Sequence, residues 1–206
     1  MTIAIVDYGA GNLVSVIKAF AAVGASPRIV TDATQFAGAH ALVIPGVGHF
    51  EATAGLDATR DAIRAATDAG VPLLGICLGM HWLFEGSDEA PGRSGLGALR
   101  GRCAHLPREA GLKIPHVGWN TLDDVDSGSR LLAGLPQGAT AYFTHSYVAP
   151  DGPATVARTS HGTPFPSVVE RGRIAGTQFH PEKSGAAGLQ ILAAFVAMAR
   201  DAGVSC

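Results

Sequence analysis

Charge is scarce in this chain of 206 residues: 15 basic and 17 acidic side chains make up 16% of it and leave a formal net charge of -2. Lys and Arg form no cluster, so the electrostatic footprint of a nucleic-acid binder is missing. Cysteine is equally sparse. The three that occur, Cys77, Cys103 and Cys206, stand far apart and odd in number. That excludes a disulfide framework or a CxxC zinc site and suits a reducing compartment. No apolar run approaches the roughly 20 residues that cross a bilayer. The opening MTIAIVDYGAGN has no basic segment and meets an acid at Asp7, so it reads as a first strand rather than a secretory signal. Linkers, internal repeats and low-complexity stretches are lacking too. Together these absences point to a cytoplasmic protein that engages neither membrane nor nucleic acid.

What the chain does have is apolar residues, 47% of the total, enough to bury a core of its own. Residues 2–7 form a short β-branched run that ends in the turn Tyr8-Gly9-Ala10-Gly11. Leu13, Val16, Ile17 and Phe20 then recur at helical spacing until Gly24. Further strands are predicted at Arg28–Val30, Ala41–Ile44 and Pro72–Ile76, with helices at about 56–69 and 185–200. Apolar strands separated by helices imply a mostly parallel sheet covered on both faces. Residues 98–124 and 140–178 show strands and turns with little helical spacing, which predicts antiparallel additions to that sheet. The expectation is one α/β domain spanning residues 1–206.

In such sheets chemistry gathers at the carboxyl ends of the strands. Gly-rich turns follow three predicted strands, at Tyr8–Asn12, Pro45–Gly48 and Gly75–Gly79. The last reads Gly75-Ile76-Cys77-Leu78-Gly79 between an apolar strand and helical spacing, the layout of a nucleophile elbow with Cys in place of Ser. Glycines two before and two after the nucleophile permit the tight turn. Cys77 then sits at a helix N-terminus, whose partial positive charge favours a thiolate. The alternative, a buried structural cysteine, holds for Cys103 and Cys206, which have no such context.

A cysteine nucleophile needs a base. Among eight histidines, His180 follows a predicted strand, with Pro181 fixing the backbone and Glu182 placed to orient one ring nitrogen. The competing reading has His-Pro-Glu merely turning the chain into its last helix. His145, in YFTHSY, is the rival base. His49, His81 and His116 are weaker candidates, and His40, His105 and His161 read as surface or loop residues.

These segments together resemble the class I (triad) glutamine amidotransferases, specifically the glutaminase subunits of histidine biosynthesis. The resemblance is carried by DYGAGN (7–12), PGVGHF (45–50), GICLGM (75–80), PHVGWN (115–120), YFTHSY (142–147) and GTQFHPEKS (176–184). It implies a class I glutamine amidotransferase-like fold and a triad of Cys77, His180 and Glu182. Glutamine would be hydrolysed to glutamate and ammonia through a glutamyl thioester, with no metal or organic cofactor. The oxyanion would be held by the N–H of Leu78 and that of Val47 or Gly48. The resemblance also implies a glutamine pocket with Gly46 and Gly48 beside the substrate and Glu89 facing its α-ammonium. His145, Ser146 and Tyr147 would hold its carboxylate. His81 stands where the family usually carries a substrate-contacting Gln, and His49 where a small residue is common. Asn12, Trp119, Asn120, Tyr142 and Lys183 are implied as surface toward a cyclase subunit in a heterodimer.

By the same resemblance, ammonia passes to a synthase that makes imidazole glycerol phosphate. Two alternatives stand beside this: a glutaminase that feeds another synthase, for amidinated sugars or pyridoxal phosphate, and a non-catalytic regulatory subunit. The complete triad argues against the second.

Overall fold

The computed structural model describes residues 1–108 and 112–203; Cys206 lies outside them. The elements run β1 (Thr2–Val6), α1 (Leu13–Ala22), β2 (Ser26–Val30), β3 (Ala41–Ile44), α2 (Arg60–Asp68), β4 (Leu73–Ile76) and α3 (Leu78–Leu83). There follow β5 (Gly86–Ser87), β6 (Arg102–His105), β7 (His116–Thr121), β8 (Thr140–His145), β9 (Tyr147–Val148), β10 (Thr155–His161), β11 (Thr163–Arg171), β12 (Ile174–Thr177) and α4 (Gly185–Gly203).

The main sheet has seven strands in the order β10-β11-β12-β4-β3-β1-β2. Its five strands from β12 to β2 pair in parallel, and β10 and β11 extend it in antiparallel fashion. Side chains alternate across it as the pleat requires. On β1, Ile3 and Ile5 join Phe20 and Phe195 on one face, while Ala4 and Val6 join Phe50, Ile63 and Trp82 on the other. Both faces are therefore covered, as the apolar strand composition predicts.

Two features differ from the sequence reading. The helix expected from about residue 56 begins at Arg60, and Phe50–Leu56 coil instead as a 3-10 turn that buries Phe50, Thr53 and Leu56. Those three lie three residues apart, the repeat of the tighter helix. The middle strands also do not all join the main sheet. β7 and β8 form a separate two-stranded ribbon, and β5, β6 and β9 a small three-stranded sheet.

α1 starts where Asn12 caps it, its Oδ1 accepting from the Ser15 N–H at 3.4 Å. Its Phe20 meets Phe195 of α4 edge to face, with ring centroids 6.3 Å apart. Among the described residues no helix is long and apolar enough to cross a membrane. Phe20 is fully buried, so Phe20→Ala should cost about 3–5 kcal/mol in urea unfolding. A loss under about 1 kcal/mol would mean that α1 is not packed as described.

Candidate active site

β4 and β12 are parallel neighbours, with Ile76 opposite Thr177, and each ends on the same edge of the sheet. Cys77 leaves β4 with its N–H donating to the Thr177 carbonyl at 2.7 Å. It then turns through φ 52° and ψ -106°, a left-handed conformation costly for any residue with a side chain. The turn is packed too tightly for anything but glycine on either side of it. A Cβ on Gly75 would strike the backbone of Gly79, and one on Gly79 would strike the Ile44 carbonyl. The sulfur is lifted into a cleft of about 130 Å3 at the start of α3.

His180 follows β12 and faces the same cleft. Its Nδ1 bonds Glu182 Oε1 at 2.8 Å, and both side chains are almost wholly buried. Among the described residues no bond of standard geometry reaches Nε2. Burial alone would lower the His180 pKa, but hydrogen bonding and charge from Cys77 and Glu182 outweigh it and push it up to about 9. At neutral pH the ring therefore carries a proton it can deliver. The backbone around it is latched to β8. The His180 N–H donates to the Tyr142 carbonyl at 3.0 Å, the Tyr142 N–H to Ser184 Oγ at 3.0 Å, and the Ser184 hydroxyl to the His180 carbonyl at 2.6 Å.

The rival base is otherwise engaged. His145 lines the cleft, but its Nδ1 bonds the Tyr147 carbonyl at 3.0 Å and its Nε2 bonds His116 Nδ1 at 3.0 Å. Neither nitrogen is free to accept a proton from sulfur. Among the described residues no group of three or more His, Cys, Asp or Glu is arranged to hold a metal ion.

Val47, Gly48 and Leu78 also line the cleft, with Gly48 at φ 96°. Gly46 does not line it and sits behind, where a Cβ would meet Tyr8 and Leu78. Glu89 reaches the cleft with Oε2 accepting from the Phe50 N–H at 2.8 Å. Ser146 and Tyr147 complete the wall beside His145. His49 caps the 3-10 turn from the surface, its Nδ1 accepting from the Glu51 N–H at 3.1 Å.

His81 is buried, and its Nε2 bonds Gln178 Oε1 at 2.8 Å. An amide oxygen can only accept, so Nε2 carries the hydrogen. Burial lowers the His81 pKa, the Gln178 bond opposing it. The neutral ring thus spends its one N–H on Gln178 and leaves Nδ1 unprotonated. The Gln178 amide nitrogen lies 4.0 Å from Cys77 Sγ, and the Thr144 carbonyl also lies 4.0 Å from it. Sequence reasoning missed Thr144, Gln178 and Ser184, although all three fall inside segments it singled out.

Trp119 and Val117 are more than half exposed, so Trp119 is not a core residue. Its ring meets Tyr142 edge to face at 6.2 Å, and Lys183 Nζ lies 5.9 Å from the Tyr142 ring. Asn120, the next residue on β7, is half-buried and faces the other side of the ribbon, its amide nitrogen donating to the Ser160 carbonyl at 2.9 Å, and Asn12 is engaged in capping α1.

The raised pKa of His180 has a stability consequence. The fold holds this proton more tightly than an unfolded histidine does, so the gain is complete below about pH 6.5 and is lost as pH rises through about 9. The denaturation midpoint of the wild type should exceed that of Glu182→Gln most near pH 6, with the gap narrowing toward about pH 9.5. A gap that stays constant across this window would contradict the pairing.

The family described as glutamine amidotransferase class-I matches residues 4–199. The chain is 48% identical over 207 residues to the imidazole glycerol phosphate synthase subunit HisH of Symbiobacterium thermophilum, covering 97% of this chain and 95% of that one. The subunit of the same name from Deinococcus radiodurans is 45% identical over 198 residues, 93% of this chain and 91% of the other. Among solved structures, one described as a glutamine amidotransferase superimposes with a TM-score of 0.75 at 21% identity, covering 96% of this chain and 98% of that one. PurLQS from Thermotoga maritima gives 0.75 at 19%, over 95% and 97%. Those two speak for the fold, and the family match together with the close relatives decides the rest: the chain belongs to the class-I glutamine amidotransferase family.

Proposed function

We infer that this chain is the glutaminase subunit of imidazole glycerol phosphate synthase and works as a single domain in the cytoplasm. The observation that carries the chemistry is the pairing of a strained Cys77 at the elbow with a buried His180–Glu182 pair on the same cleft. Cys77 attacks the side-chain carboxamide of glutamine. His180 gives its proton to the departing ammonia, and Glu182 holds the ring in the tautomer that allows this. Water then cleaves the glutamyl thioester, releasing glutamate and returning the thiol. The tetrahedral oxyanion takes the Leu78 N–H and one from Val47 or Gly48. Glycine on both sides of Val47 makes a change in that turn inexpensive. Glu89 meets the α-ammonium of the substrate, and the 145–147 backbone meets its carboxylate.

The partner is a cyclase subunit in a heterodimer, which receives the ammonia. Exposed Trp119, with its ring against Tyr142 and Lys183 over the Tyr142 ring, supports a docking face there, and the family resemblance adds Asn12 and Asn120 to it. The names of the close relatives favour this synthase over an amidinated-sugar or pyridoxal phosphate one.

Two measurements test the reading. Co-purified with a candidate cyclase, the wild type should release glutamate, and Cys77→Ser should lose this by on the order of a thousandfold or more. Equal slow release by both would sink the catalytic assignment. The isolated chain should be a poor glutaminase that the partner and its nucleotide ligand accelerate, and full activity alone would remove the switching role given to the Pro45–Gly48 turn.

A further inference from the structure

A chain of hydrogen bonds runs through the β7–β8 ribbon to the wall of the cleft, and its direction is fixed at both ends by backbone groups. At the far end the Thr121 N–H donates to Asn120 Oδ1 at 2.9 Å, which turns the Asn120 amide nitrogen toward His116 Nε2, 3.2 Å away. At the near end the Tyr147 carbonyl, which can only accept, lies 3.0 Å from His145 Nδ1. That nitrogen is therefore the protonated one, and His145 Nε2 is an acceptor. It accepts from His116 Nδ1 at 3.0 Å. His116 in turn has only Nε2 left as an acceptor, which is what Asn120 requires. Both rings are buried, and His116 is stacked between Phe143 and His161 with centroids 4.9 and 4.2 Å away. Burial, joined by the neighbouring His161, lowers the His116 pKa to about 4, and burial likewise lowers that of His145. Both imidazoles are thus neutral, as the chain of bonds demands.

What this chain holds is the segment facing the nucleophile. Thr144, His145, Ser146 and Tyr147 form one wall of the cleft, and the Thr144 carbonyl lies 4.0 Å from Cys77 Sγ. The bond from His145 to the carbonyl two residues on braces the bend between β8 and β9. Without a donor at His116, the buried His145 Nε2 loses its partner and the ring is free to swing away from that bend.

We propose that His116 is a positioning residue for glutamine binding: through its Nδ1–H it fixes the His145 ring, and through that ring the 144–147 wall. This deepens the glutaminase reading and rests on it. Because the wall meets the unreacting end of the substrate, its loss weakens ground state and transition state alike, which appears in KM rather than kcat.

The test uses the complex with the cyclase. His116→Phe keeps a stacked ring but removes both polar ends. His116→Asn gives up the stack but places an amide N–H near the position of Nδ1. His116→Phe should raise KM for glutamine about tenfold with kcat changed less than about twofold. Alkylation of Cys77 by iodoacetamide, which does not need the wall, should keep its wild-type rate. His116→Asn should recover most of the KM. A wild-type KM in His116→Phe overturns the proposal. So does a loss of kcat and alkylation together, which marks a merely structural role, and so does a KM nearer wild type in His116→Phe than in His116→Asn. Absence of Cys77-dependent glutamate release in the wild-type complex would instead overturn the glutaminase reading, and the proposal with it.

Discussion

The rest of the site depends on one unfavourable backbone conformation. Cys77 holds a left-handed φ that its side chain resists, and it does so because its surroundings leave no alternative. β4 is hydrogen-bonded between β3 and β12, and the Cys77 N–H is tied to Thr177. The glycines at 75 and 79 let neighbouring backbone close to contact distance. The strain is thus sustained by the central strands of the sheet, the part least able to relax, and its effect is to aim a largely buried sulfur into the cleft. Cys103 provides the contrast: in an ordinary strand it is buried, and desolvation pushes its thiol pKa up.

The acid–base pair is held by a different logic. Its side chains are fixed by each other, but its backbone is fixed by β8, through Tyr142 and the Ser184 hydroxyl. The main sheet therefore supplies the nucleophile and the start of the His180 loop, while the β7–β8 ribbon supplies the clamp. The cleft lies where these two structures meet. Its walls belong to elements far apart in sequence, which is why no single segment carries the site.

The sequence made some of this legible and hid the rest, for identifiable reasons. Glycine spacing around Cys77 announces the elbow because the steric requirement is local, and His180 with Glu182 is visible because only Pro181 separates them. Apolar strands flanked by helical spacing announce the doubly covered sheet. The 3-10 turn of Phe50, Thr53 and Leu56 leaves no distinct mark, because apolar and small residues three apart suit either kind of helix. His116 and His161 read as minor because their partners come from distant parts of the chain: His116 bonds a residue 29 positions away on the paired strand and stacks on His161 of β10, further still. Likewise, His81 could be singled out as unusual, but its tie to Gln178 spans 97 residues. Contacts of that kind leave no periodic trace.

The pairing of β7 with β8 puts His116 opposite His145 and Trp119 opposite Tyr142. Alternate residues of β8 point to opposite sides, Ala141, Phe143 and His145 inward and Tyr142 outward. A slip of one residue would turn Phe143 to solvent, bury Tyr142, separate the two histidines and move the carbonyl that receives the His180 N–H. Core packing, the cleft wall and the clamp on the base would all fail at once. The ribbon's alignment thus serves as a checksum on folding: a chain that pairs these strands wrongly forfeits its chemistry along with its stability, and no misaligned yet active form is open to it.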